Sequence, residues 1–152
     1  MPLPDSTPLG IARDWTRKRA EDGVDCPCCT QRVQVYKRKL NSGMARSLIA
    51  MYALSGTDWL HVPTSIGARS REEGKLAYWG LVEESLTPRD DGGRAGWWRV
   101  TSKGELFVLR HLRVPSHARV YNGTVLGLMG QPVSIVDALG TKFSYNDLMA
   151  GI

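Results

Sequence analysis

The chain has 152 residues, the size of one ordinary domain and long enough to bury a real core. Apolar residues make up 42%, which excludes wholesale disorder and a collagen-like or coiled-coil rod. Twenty Lys+Arg against fifteen Asp+Glu leave +5, a modest excess, so the placement of the charge matters more than its total.

Residues 1–25 read as an amino-terminal arm. Residues 1–12 are Pro-rich, with little structure of their own, and residues 13–25 carry mixed charge that fits a short amphipathic helix. Met1-Pro2-Leu3-Pro4-Asp5 has neither the basic nor the apolar region of a secretory signal. No apolar run approaches the roughly 18 residues that cross a bilayer, so a cytoplasmic setting with no membrane partner is expected. Residues 26–41 form a cysteine knuckle and a strand. Cys26, Cys28 and Cys29 lie too close together for a disulfide framework, and the alternation over 32–37 predicts a short strand.

Leu40, Met44, Leu48, Met51 and Tyr52 recur at helical spacing, with Asn41 or Ser42 as N-cap and Ser55-Gly56 as the stop. A brief helical turn follows Pro63-Thr64-Ser65. Ser70-Arg71-Glu72-Glu73 reads as a capping box opening a third helix, which turns Leu76 and Trp79 inward and stops at Gly80. Residues 81–86 read as a strand, 88–93 as a turn-rich loop and 96–101 as a returning strand. In that strand Trp98 and Val100 should face the core, and Trp97 and Arg99 should face outward. Ser102-Lys103-Gly104-Glu105 predicts a second capping box and a helix to about Leu112.

That order resembles a winged helix-turn-helix over residues 42–113. Leu76-Ala77-Tyr78-Trp79-Gly80-Leu81-Val82-Glu83-Glu84 is similar to the junction of recognition helix and wing, and Trp98-Arg99-Val100-Thr101-Ser102-Lys103-Gly104 to the return strand of MarR-like proteins. The whole chain also resembles small uncharacterised proteins of actinobacterial phages that carry a Cys-Pro-x-Cys knuckle. The sequence departs from the regulator pattern between Thr57 and Ser70, where Pro63 and Gly67 interrupt the second helix. The winged-helix resemblance implies an α+β fold and a DNA-binding regulator of transcription; the phage-protein resemblance implies a phage origin and brings no activity with it.

Charge placement points the same way. From Cys26 to Thr57 there is no acidic residue, while Arg32, Lys37, Arg38, Lys39 and Arg46 are basic. Residues 92–104 are also free of acids and hold Arg94, Trp97 and Arg99. Segregated basic stretches are what phosphate neutralisation requires. Arg32, Lys37, Arg38, Lys39, Arg46, Arg94 and Arg99 are the candidate phosphate contacts, with Trp97 beside them. Arg69, Arg71 and Lys75 on the third helix are the candidates to approach a groove. The alternative is a solvated basic face on a module that binds a host protein, winged helices serving in both roles.

Cys26 and Cys29 have the spacing of half a structural zinc site, completed by Cys28 or a histidine such as His61; small hydrophobic thiols are the plainer reading. No P-loop, Gly-x-Gly-x-x-Gly, His-Glu-x-x-His or Gly-x-Ser-x-Gly is present, and the acidic pairs are adjacent, so their carboxylates diverge; an enzyme is not expected. Residues 114–152 read as a carboxy-terminal hairpin appendage, turning at Tyr121-Asn122-Gly123-Thr124. Gly127, Gly130 and Gly140 break the rest into short pieces, and Ser144 with Asp147 caps a last turn. The appendage either covers the core or pairs with a second copy in a homodimer.

Overall fold

The computed structural model describes residues 3–66, 72–86 and 96–151. Its first helix, α1 (Leu9–Arg19), begins inside the segment expected to be unstructured. Pro8 occupies the N-cap, no proline lies within the helix itself, and Arg17, Lys18 and Arg19 sit at the negative end of the helix dipole. Strands β1 (Val24–Asp25) and β2 (Arg32–Val33) then pair antiparallel around the cysteines. The strand expected over 32–37 is split. Val35 turns inward and its N–H donates to the Ala20 carbonyl at 2.9 Å, so β3 (Tyr36–Lys39) joins a different sheet.

In that sheet β3 pairs antiparallel with β7 (Val114–Tyr121), which pairs with β8 (Thr124–Val133). The β7–β8 turn lies at Asn122 and Gly123, with φ of 50° and 74°, the left-handed pair that an Asn-Gly hairpin uses. β8 runs through Gly127 and Gly130 rather than breaking there. The ladder absorbs the irregularity as register shifts at Pro115/His117 and Arg119/Val120.

The long helix α2 (Ser42–Ser55) is capped by Asn41, whose side chain accepts the Met44 N–H at 2.9 Å. After it come β4 (Leu60–His61), α3 (Val62–Ser65), α4 (Glu73–Leu76) with a 3₁₀ turn at Ala77–Trp79, β5 (Val82–Glu84), β6 (Trp97–Val100) and α5 (Ser102–Val108). Gly80 ends the 3₁₀ turn at φ 71°. β4, β6 and β5 form one antiparallel sheet, in that order. Glu72 holds the N-cap position of α4; the Ser70 box and the loop at 88–93 fall outside the described residues.

Two boundaries differ from expectation around α5. Thr101, not Ser102, is the N-cap: its hydroxyl accepts the Gly104 N–H at 3.0 Å and donates to the Gly80 carbonyl at 2.6 Å. The helix ends at Val108, short of Leu112, because Arg110 takes a left-handed φ of 65° and the His111 N–H bonds back to the Leu106 carbonyl. Two short helices close the chain. α6 (Ile135–Leu139) starts in a Ser134–Asp137 capping box, and α7 (Tyr145–Met149) is capped by Ser144.

The described residues thus make an α+β fold of seven α-helices and three small antiparallel sheets. A single cluster forms the core. Leu48 and Ile49 of α2 meet Leu76, Trp79, Trp98, Val100 and Phe107, together with Ala118, Val120, Ile135 and Leu139 from the carboxy-terminal segment. Trp79 Nε1 donates to the Pro115 carbonyl at 2.7 Å, so the hairpin closes over the core. On β6, Trp98 is 9% exposed and Trp97 43%, which is the register the alternation predicts. No helix among the described residues is long and apolar enough to cross a membrane.

Candidate nucleic-acid interface

β3 presents Tyr36, Lys37, Arg38 and Lys39 in succession, all exposed. It is an edge strand, hydrogen-bonded on one side to β7. The pleat places Lys37 and Lys39 on one face and Tyr36 and Arg38 on the other, and the Arg38 guanidinium lies 5.2 Å over the Tyr36 ring. Leu40, 2% exposed, anchors the turn into α2, where Arg46 is exposed with its guanidinium 5.0 Å from the Phe143 ring. Among the described residues no carboxylate pairs with Lys37, Arg38, Lys39 or Arg46. Arg119, opposite Lys37 in the ladder, is neutralised by Glu21.

The other candidates are distributed differently. Arg32 belongs to the separate β1–β2 hairpin and lies 3.4 Å from Asp25. Lys75 bonds Glu72 at 3.2 Å, one turn back on its own helix. Arg99 faces outward as expected but is ion-paired across the ladder with Glu83, with its guanidinium 4.5 Å over the Trp59 ring. Trp97 shares that face of β6, tilted against the His61 ring at 5.2 Å. Arg69, Arg71 and Arg94 fall outside the described residues. The structure therefore places Lys37 and Lys39 on one face of β3, Arg38 on the other and Arg46 on α2, the next element, and Trp97 with Arg99 on a second surface.

Trp59 is a member of that second surface that sequence reasoning missed. The alternation Trp59-Leu60-His61 was the available clue, since His61 pairs with Trp97 across the sheet. Lys103, part of an acid-free stretch, is held elsewhere: its ammonium donates to the Trp79 carbonyl at 2.7 Å, closing the 3₁₀ turn. Tyr52 donates to Glu105 at 3.0 Å, and that bond raises its phenol above the usual value.

The cysteines stand at the tip of the β1–β2 hairpin. Cys26 is half-buried, and Cys28 and Cys29 are exposed, so they are not core hydrophobes. The backbone N–H groups of Cys29 and Cys28 hold the Cys26 thiol below its ordinary value. His61 does not join them; its Nδ1 meets the Thr64 hydroxyl at 2.8 Å. Among the described residues no group of three or more His, Cys, Asp or Glu is placed to hold a metal ion. Comparison of the chain with family models, with curated proteins and with solved structures gives no match.

Proposed function

We propose that the chain is a non-enzymatic nucleic-acid-binding protein of winged-helix type that takes double-stranded DNA, in the role of a phage-encoded regulator. Lys37, Arg38, Lys39 and Arg46 are its phosphate-holding set. One observation carries the reading: these four exposed cations stand on consecutive elements, and no described carboxylate pairs with them. A cation paired with a carboxylate inside the protein must give up that partner to take a phosphate; these four have no described carboxylate to give up. The element order from α2 to α5, with its β4-β6-β5 sheet, supports the winged-helix part. Trp97 and Arg99 form the secondary contact, because an exposed ion pair such as Arg99–Glu83 holds its cation only weakly, by about 0–1 kcal/mol.

Fluorescence anisotropy with a generic duplex tests this. Affinity is expected to fall steeply between about 50 and 200 mM salt. The double substitution Lys37→Ala/Lys39→Ala should weaken binding to all sequences alike and lower the salt slope by about two units, one per phosphate contact. Lysines on an edge strand also guard against strand pairing. If that is their only work, the double variant binds as well as the parent and aggregates more readily. No duplex binding even at low salt would overturn the DNA reading. It would favour a protein-binding module, to which the internally paired Lys75 and Arg99 also fit.

A further inference from the structure

We propose that the knuckle holds a zinc ion between two copies of this chain, each giving Cys26 and Cys29. The inference is independent of the nucleic-acid reading. It starts from how firmly the loop is built. The pairs Val24↔Val33 and Asp25↔Arg32 close its base. Above them the Cys26 N–H donates to the Gln31 carbonyl at 2.8 Å, and the Thr30 N–H to the Cys26 carbonyl at 2.9 Å. Thr30 sits at φ 65°, a left-handed conformation that a β-branched residue adopts only when its surroundings impose it. The Cys28 N–H reaches Cys26 Sγ at 3.4 Å, the outer bond that takes up part of a thiolate's charge when the sulfur binds a metal.

This effort serves no packing purpose. None of the three cysteines belongs to the core cluster, all are free thiols, and Cys28 and Cys29 face outward. Zinc closes a structural site with four donors arranged tetrahedrally, at about 2.3 Å from sulfur. The Cys-x-x-Cys spacing supplies two. Among the described residues no group of three or more His, Cys, Asp or Glu is placed to hold a metal ion, so the same chain supplies no described third donor beside this pair. A second copy related by a twofold axis brings the same two thiolates and completes the tetrahedron, which is the self-complementary contact a symmetric dimer requires.

The electrostatics agree. Four thiolates around one Zn²⁺ carry a net charge of −2. A groove of about 620 Å³ bordered by Cys26, Pro27 and Cys28 is also bordered by Arg13 and Arg17, and by Arg119 and Glu21, which neutralise each other. Asp25, next to Cys26, is paired with Arg32.

The full chain, purified with a phosphine reductant and no chelator, should contain about half an equivalent of zinc per chain and sediment as a dimer. A strong chelator should convert it to monomer without changing its far-ultraviolet circular dichroism. Cys29→Ser should lose both zinc and dimer, and Cys28→Ser should keep both. The chelation arm needs no variant, so it stands even if Cys29→Ser folds poorly. One equivalent of zinc on a monomer would overturn the proposal, as would failure to take up added zinc, or a dimer that survives chelation.

Discussion

Gly104 lies in the first turn of α5, where alanine would ordinarily be preferred by about 1 kcal/mol. Here a Cβ would stand 2.1 Å from the Leu81 carbonyl oxygen and 2.7 Å from Val100 Cγ1. The first of these is backbone and cannot swing aside. Gly104→Ala is therefore expected to destabilise the protein by about 1–3 kcal/mol, the usual cost of overpacking, read as a lowered urea midpoint. An unchanged or raised midpoint would mean that α5 stands further from β5 and β6 than described. At this scale the sequence was informative wherever a side chain answers to its own element. Asn41 caps α2, Leu76 and Trp79 turn inward, and Trp98 is buried while Trp97 is not. It was silent on Arg99, because the pairing Glu83↔Arg99 depends on a strand register that neither strand specifies by itself.

Among the elements, α6 shows how a short helix is held. The Ser134 N–H donates to Asp137 Oδ2 at 2.9 Å, and the Asp137 N–H donates to the Ser134 hydroxyl at 3.1 Å. These bonds to Ser134, with help from the charge of Arg113, hold the Asp137 carboxyl below its ordinary 3.8. A depressed carboxyl stabilises the folded state fully above its unfolded value and loses that contribution as pH falls through the folded one. Amide protection in α6 should therefore decline as pH drops below 3.8, and Asp137→Asn should remove that dependence. Equal acid fraying in the Asn variant would show that another group is responsible. Elements with self-contained local chemistry were legible in this way, among them the Asn-Gly hairpin and the Ser144 cap. The divided strand at 32–37 was not, because it breaks where Val35 finds a burial site made by distant residues. Nor was the unbroken β8, whose glycines ride on pairing with β7.

For the molecule as a whole, the core is indivisible. Val114, Ala118, Val120, Ile135 and Leu139 follow the last residue of the winged-helix resemblance, yet they belong to the same cluster as Leu48 and Trp79. Tyr145 adds a hydrogen bond to the Val108 carbonyl at 2.8 Å. A chain ending at Arg113 should accordingly lack a cooperative thermal transition and a native near-ultraviolet circular dichroism signal. A sharp transition in that truncated chain would show that residues 114–152 are dispensable. The order of elements could be read from periodicity, but their mutual burial could not, because apolar residues in short strands and five-residue helices carry too few repeats to say what they face.

The pairing of β3 with β7 has a consequence for how the protein is made. Tyr36 finds its ladder partner in Val120, so a ribosome must deliver most of the chain before the third strand can be bonded at all. Until then the exposed backbone of β3 is shielded only by its own run of like charges, which discourages two nascent chains from zipping together. Closure of so distant a pair also places the completion of this sheet late among folding events, since the entropy of bridging the intervening chain must be overcome before the contact rewards it.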